Sequence, residues 1–239
     1  MEKYQSVIAI IPAHNEAPHI GEVIRGVKEV LPSARILVIN DASTDNTLKC
    51  SQDAGAKVIS LPFNLGYGAA LQTGYKFALD SGYEYVIQLD ADGQHNPKDI
   101  SKIIEPVLNG EADLIIGSRF LDGNEYQTSF ARRLGISFFR MIVSFFAGKK
   151  ITDPTSGFQA LNKKVVNFFA GDRYPVDFPD ADVLIMLHRA GFRIAERAVQ
   201  MNPSNSKKSM HSGFKPVYYI FKMLLSIFVT LLRKDLKEQ

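Results

Sequence analysis

Five short apolar runs alternate with longer amphipathic stretches over the first half of the chain, and that order leaves few architectures open. The runs are SVIAIIP (6–12), ARILVIN (34–40), AKVISL (56–61), YEYVIQL (83–89) and ADLIIGS (112–118). Each is nearly continuous in apolar residues rather than alternating, the pattern of strands covered on both faces. Between them the spacing predicts helices near 20–31, 44–54, 68–81 and 97–108. Repeated β-α-β order implies an α/β fold with a mostly parallel sheet and right-handed crossovers. The 239 residues, 46% of them hydrophobic, suffice for a sizeable core, and no Pro/Ser/Gly tract splits them.

In such sheets ligands sit beyond the carboxyl ends of the strands. Polar residues cluster there in successive turns: PAHNEA (12–17), NDASTDNT (40–47), NLGYGAA (64–70) and DADGQH (90–95). In the second, Ser43 or Thr44 is expected to cap the following helix, with Asp45 favoured in its first turn by the dipole. That leaves Asp41 at the strand end as a candidate for function. In the first, Asn15 and Glu16 either start a helix or face a ligand, and His14 alone carries little. The third holds Gly66 and Gly68 but lacks a third glycine and follows the third strand, so it is not a dinucleotide fingerprint.

The fourth turn is the sharpest signal. Asp90 and Asp92 are one residue apart at the end of a buried run, where like charges are costly unless a cation or solvent screens them. Hard cations such as Mg²⁺ or Mn²⁺ are held by one or two carboxylates together with substrate phosphate oxygens. A metal there would neutralise charge on a departing diphosphate. The alternative is a solvated turn that caps the next helix.

Charge is unevenly spread. From Lys207 to the end there are seven Lys/Arg and two Asp/Glu, an excess of +5 within a net +3, so the remainder is about −2. Lys215, Tyr219, Lys222, Ser226, Thr230 and Arg233 recur at helical spacing as one polar stripe on an otherwise apolar segment. Such a helix is expected to lie in a membrane interface with its basic residues on anionic headgroups, or to dock on the protein's core or in a dimer. ISFFRMIVSFFAG (136–148), interrupted by Arg140, suits a membrane-facing or buried helix better than a spanning one. Aliphatic residues dominate the tail, which argues against nucleic acid. The single cysteine, Cys50, excludes an internal disulfide. The polar start before the first strand reads as no signal peptide, so a cytoplasmic protein peripherally associated with the membrane is expected.

Taken as an ordered set, IPAHNE, NDASTDNT, NLGYGAALQTGYKFA, LDADGQHNP, GSRF and DPTSGFQALNK resemble the family 2 glycosyltransferases of GT-A fold. The likeness is to their dolichol- and polyprenyl-phosphate sugar synthase branch and related polysaccharide enzymes, and it runs from about residue 5 to about 200. It implies inverting, metal-dependent transfer from a nucleotide-diphosphate sugar to polyprenyl phosphate or to a hydroxyl of a lipid-linked glycan. By the resemblance Pro12, Ala13, Asn15 and Glu16 line the nucleoside pocket beside Asn64 and Gly66, and Asp41 reads the base. Asp90, Asp92 and Gln94 engage Mg²⁺ or Mn²⁺ and the diphosphate, and Arg119 of GSRF faces phosphates or acceptor. Asp180 and Asp182 of YPVDFPDADVLI are candidate bases for a hydroxyl acceptor, or else helix-capping carboxylates. Relatives often carry arginine and glycines after the last strand; this chain has MNPSNSKKSMHSG, where Lys207 takes the phosphate role and His211 ranks below the aspartates as a metal ligand.

The expected layout is a GT-A domain over 1–205 followed by a basic loop and amphipathic helix over 206–239. A sugar-nucleotidyltransferase would want a glycine-rich basic loop after the first strand, and a two-aspartate phosphatase would place its pair there. A catalytically silent nucleotide-sugar binder is disfavoured by the intact D-x-D.

Overall fold

The computed structural model describes residues 4–121, 130–177, 179–202 and 215–233. A seven-stranded sheet runs in the order β3-β2-β1-β4-β6-β5-β7. Its strands are β1 (Val7–Ala13), β2 (Arg35–Asn40), β3 (Lys57–Ser60), β4 (Tyr85–Gln88), β5 (Leu114–Ser118), β6 (Gln159–Asn162) and β7 (Ile194–Ala198). All neighbours pair in parallel except β6, which is antiparallel to both β4 and β5. The expected mixed α/β fold with a mostly parallel sheet is therefore present.

The near-continuous apolar runs are explained by two separate cores. Ile8 and Ile10 of β1 join Leu71 and Tyr75 of α3 (Tyr67–Asp80) on one face. Val7, Ala9 and Ile11 join Ile20, Val23 and Ile24 of α1 (Ile20–Val30) and Ile103 of α4 (Ile100–Leu108) on the other. Successive residues point to opposite faces, so a strand buried on both sides needs every position apolar.

Helix α2 spans Thr47–Asp53, three residues later than its predicted start. Ser43 and Thr44 do not cap it: Ser43 accepts the Asn15 N–H at 3.0 Å, and Thr44 donates its N–H to the Asn15 side chain at 2.8 Å. Cross-turn partners win over the local cap. A 3-10 turn at Pro97–Asp99, capped by Asn96, precedes α4.

Beyond β5 lie α5 (Phe130–Phe146), α6 (Lys163–Ala170), α7 (Ala181–Arg189) and α8 (Lys215–Leu232). Helix α8 buries Met223 and Ile227 in the core that contains Val183, Leu184 and Leu187 of α7, and its Tyr219 ring meets Phe139 of α5 edge-on at 5.9 Å.

Helix α3 comes close to β1 at Gly74, where an added Cβ would lie 2.5 Å from Ile10 Cγ2. Gly74→Val is expected to destabilise the fold by about 1–3 kcal/mol, the range for overpacking a filled core. Urea unfolding measures it, with a loss under about 0.5 kcal/mol counting against this packing.

Candidate functional site

The turns after β1 and β2 are stitched together. Asn15 has a left-handed backbone (φ 57), which lets its side chain turn back over Thr44. Glu16 donates its N–H to Thr47 Oγ1 at 2.8 Å, and Ala17 donates to Asp45 at 3.1 Å. His14 Nδ1 lies 2.7 Å from the Asp41 carbonyl, which only accepts, so Nδ1 carries the proton and Nε2 receives the Asn15 amide at 3.1 Å. Pro12 and Ala13 are buried in β1 directly below.

Asp41 is buried, and its carboxylate accepts the N–H groups of Leu65 at 2.7 Å and Gly66 at 3.0 Å. It thereby fixes the loop that carries exposed Asn64 and leads into α3. Gly66, at φ 95, supplies the backbone conformation that an L side chain resists. The start of α3 rests on the 175–176 backbone, where Ala69 donates to the Val176 carbonyl at 3.1 Å.

Asp90 and Asp92 follow β4. Asp92 accepts the Gln94 N–H at 2.9 Å and is also bonded by the Gln94 side-chain amide. Asp90 accepts from the Tyr67 hydroxyl at 2.7 Å, and its own N–H donates to His95 Nδ1 at 3.0 Å. His95 is buried and stacked on Phe158, ring centroids 4.9 Å apart. Burial, followed by the charge of Asp90, raises the Asp92 carboxyl above its ordinary range. Burial and then the charges of Asp92, Asp90 and Asp45 push Glu16 up to about 7. The four carboxyls therefore share one electrostatic neighbourhood, although they come from three different turns. Asn202, just past β7, closes over this turn by donating to the carbonyls of Gln94 at 2.8 Å and Gly93 at 3.1 Å.

The end of β5 is built from partners that single residues do not reveal. Arg119 does not stand free beside a phosphate position. Its guanidinium forks onto buried Asp153 at 2.6 Å through both Nε and Nη2, and reaches Thr155 at 2.8 Å. Glu196 of β7 in turn accepts the N–H groups of Thr152 and Asp153. Asp153 belongs to the DPTSGFQALNK stretch and Arg119 to GSRF, so both motifs are visible in the sequence while their pairing is not.

Asp182 is fully buried; it accepts the N–H groups of Val183 at 2.9 Å and Asp180 at 3.2 Å and the hydroxyl of Ser226. Asp180 accepts from Tyr219 at 2.6 Å, and Asp177 pairs with Lys222 at 2.5 Å. Tyr219, Lys222 and Ser226 of the α8 stripe thus face acidic residues of the body, with Lys222 at the margin. What α8 turns outward is apolar: Phe221 is 63% exposed, Phe228 58% and Leu232 64%. Helix α5 is arranged alike. Arg140 donates inward to the Thr152 carbonyl at 2.8 Å, while Met141 and Phe145 are exposed. Asp180 also registers the charges of Asp90 and Arg119, so the start of α7 and the D-x-D turn are electrostatic neighbours. Lys207, Lys208 and His211 lie outside the described residues.

The Glycosyl transferase family 2 profile matches residues 8–169, and the chain belongs to that family. An uncharacterized protein of Methanocaldococcus jannaschii is 32% identical over 92% of this chain and 91% of its own length. The undecaprenyl-phosphate mannosyltransferase of Micrococcus luteus is 30% identical over 87% of this chain and 88% of its own. The UDP-N-acetylglucosamine–dolichyl-phosphate N-acetylglucosaminyltransferase of Methanococcus voltae is 31% identical over 67% and 70%. Among solved structures, glucosyl-3-phosphoglycerate synthase of Mycobacterium tuberculosis with Mn²⁺, UDP-glucose and phosphoglyceric acid aligns with TM-score 0.69 and 20% identity, covering 96% of this chain and 80% of that one. That likeness shows the GT-A fold.

Burial pushes the Asp182 carboxyl up to about 6 from an ordinary 3.8. Between these values the folded chain holds more of the Asp182 proton than the unfolded one. The Asp182 contribution therefore lowers stability as pH rises from about 4 to about 6, in addition to those of Asp180 and Glu16, raised to about 6 and about 7. Asp182→Asn keeps an oxygen for the two N–H donors and removes the titration, so it should flatten this slope, by on the order of 1–3 kcal/mol across the window. Urea unfolding at pH 4.5 and 7 measures it; an unchanged slope would show that Asp182 is ionised throughout.

Proposed function

We propose that the chain is an inverting glycosyltransferase that moves a sugar from a nucleotide-diphosphate sugar to polyprenyl phosphate at the cytoplasmic face of a membrane. The observation that carries this reading is the junction of two unlike surfaces. The carboxylate turns of the sheet edge adjoin Asp180, which is hydrogen-bonded to a helix whose outer face is apolar. The relatives in Micrococcus luteus and Methanococcus voltae, named for lipid-phosphate acceptors, support the same acceptor class.

In this reading Pro12, Ala13, Asn15, Glu16, Asn64 and Gly66 line the nucleoside side. Asp41 reads the base with the acceptor position that each of its oxygens retains beyond its backbone bond. Asp90, Asp92 and Gln94 would hold Mg²⁺ or Mn²⁺. Their donors are all oxygens, and the Asp92 carboxyl is raised by a neighbour whose charge a cation would offset, so the residues fit a hard cation. Among the described residues no group of three or more His, Cys, Asp or Glu forms a metal cage, which suits an ion completed by substrate phosphate oxygens. The ion supplies charge neutralisation for the departing nucleoside diphosphate. Lys207 is assigned the same phosphates from the loop after Asn202.

A lipid phosphate arrives anionic and needs no strong base. Asp182, with no exposed surface and three donors, suits a supporting role better than that of a base. Arg119, held rigidly by Asp153, fixes the 152–157 turn next to the acceptor. Residues 1–205 form the catalytic body and 206–239 the membrane-facing element. Among the described residues no helix is long and apolar enough to cross a membrane, so the contact is interfacial, through α8 and α5.

In detergent with polyprenyl phosphate and UDP-, GDP- or dTDP-sugars, a chloroform-soluble sugar-lipid should form with Mn²⁺ and vanish with EDTA. Asp92→Asn should lower the rate at least about 100-fold, on the scale of losing a preorganised electrostatic group. Nucleoside diphosphate release without a lipid product would redirect the reading to a glycan hydroxyl, and silence with every donor would defeat it. On anionic vesicles, the doubly substituted Phe221→Asp, Phe228→Asp protein should stay in the supernatant while the unsubstituted chain sediments. Equal sedimentation would remove α8 from the membrane contact.

A further inference from the structure

We propose that Tyr67 is the positioning residue of Asp90, and that it is itself oriented by a buried run of hydrogen bonds coming through Gln88 from Tyr75. The proposal rests on the reading of Asp90 as a metal-side carboxylate, and it assigns work to Tyr67 and Tyr75, which the motif NLGYGAALQTGYKFA carries without a role, and to Gln88.

The direction of the run is fixed by chemistry. The Tyr67 hydroxyl, 2.7 Å from Asp90 Oδ1, donates to that oxygen. The Tyr67 oxygen is then an acceptor, and the group facing it at 3.2 Å must be the Gln88 Nε2 amide. That sets the Gln88 flip, which leaves Oε1 facing Tyr75, and the Tyr75 hydroxyl donates to it. Tyr174 stands edge-on to Tyr75 at the far end, ring centroids 5.6 Å apart. Every hydrogen therefore points toward Asp90. Aligned donors polarise one another, so the last bond gains from those behind it.

The run is also well placed to be rigid. Tyr75 has no exposed surface and Gln88 very little, so neither finds water as a substitute partner. Their backbones lie in α3 and β4, elements packed on the central sheet rather than on loops. The opposite wall is backbone: a Cβ on Gly157 would fall 2.8 Å from the Tyr67 oxygen and 2.9 Å from both Asp90 oxygens. The Tyr67–Asp90 pair fits only because that position is glycine. Oδ1 is held by Tyr67 and Oδ2 lies 3.6 Å from His95 Nε2, whose Nδ1 accepts the Asp90 main-chain N–H, so the carboxylate is flanked on both oxygens. Partners of this kind commonly change metal affinity 10- to 100-fold when removed, without touching the ion.

The test is Mn²⁺ affinity of the full chain by electron paramagnetic resonance, with saturating UDP or GDP and no acceptor. Tyr67→Phe keeps the ring and removes the donor; it should weaken Mn²⁺ about 10-fold with an unchanged circular dichroism spectrum. Tyr75→Phe cuts the run two bonds away and should weaken it about 3-fold through the freed Gln88 amide. Gly157→Ala crowds the same pair from the other side and serves if Tyr67→Phe fails to fold, with a similar loss expected. Unchanged affinity in Tyr67→Phe overturns the assignment, and unchanged affinity in Tyr75→Phe alone overturns the run behind it. A wild-type chain that binds Mn²⁺ but makes no sugar-lipid defeats the proposed function and leaves this comparison standing. One that binds no Mn²⁺ with either nucleotide defeats both.

Discussion

Like-charge repulsion at the carboxyl edge of the sheet is the constraint around which the local architecture is organised. Glu16, Asp45, Asp90 and Asp92 share one neighbourhood, and burial followed by the neighbouring charges raises the Glu16 and Asp92 carboxyls. Donors aimed at the aspartates lower the cost of such a cluster. Asp45 has the N–H groups of Ala17 and Thr47, Asp41 behind it has those of Leu65 and Gly66, Asp92 has Gln94, and Asp90 has Tyr67. Each donor comes from a different turn from its acceptor or from the residue next but one, so the same bonds that stabilise the charges also pin the turns to one another. A cation and a diphosphate would then enter a site whose oxygens are already aimed.

The fold was legible because its cause is periodic. Continuous apolar runs in β1, β2, β4 and β5 follow from burial on two faces, and they announce a parallel sheet whatever the partners are. Strands β6 and β7 were not legible for the same reason. QALN and IAERA are short and carry polar residues, since β6 inserts against the grain between β4 and β5 and β7 is an edge. Helix α2 was placed early because Ser43 and Thr44 have the chemistry of caps, and only the folded chain shows that Asn15 takes them.

Within the site, sequence marks the groups that are chemically conspicuous and misses those that hold them. Two aspartates at a strand end stand out in any reading. Tyr67, Gln88 and Glu196 do not, because a tyrosine in a helix, a glutamine in a strand and a glutamate in an edge strand are ordinary residues until a partner faces them. Arg119 and Asp153 were each noticed separately; their pairing across 34 positions needs the antiparallel β6 that brings the 152–157 turn beside the end of β5. Breaking such a buried pair costs several kcal/mol, whereas a lone surface arginine costs little, so the same letter in the sequence carries quite different weight.

Helix α8 shows how a pattern is read correctly and its orientation inverted. One polar stripe on an apolar helix normally faces water, and the lysines in it suggest headgroups. Here Asp180 and buried Asp182 offer acceptors to Tyr219 and Ser226, and satisfying carboxylates withdrawn from water outweighs solvating two hydroxyls that water would also serve, while Lys222 pairs with Asp177 at the surface. The stripe therefore turns inward, and the apolar side is what remains outside. Leaving Phe221, Phe228 and Leu232 in water forgoes roughly 1.5–3 kcal/mol for each side chain that burial would stabilise. That deficit is recovered only against another apolar phase, and the helix that would enter it is fastened to the acids beside the D-x-D turn. In the proposed reading, a surface seated on α8 and α5 would be coupled to the acceptor side through the bonds of Tyr219, Lys222 and Ser226 and the packing of Met223 and Ile227.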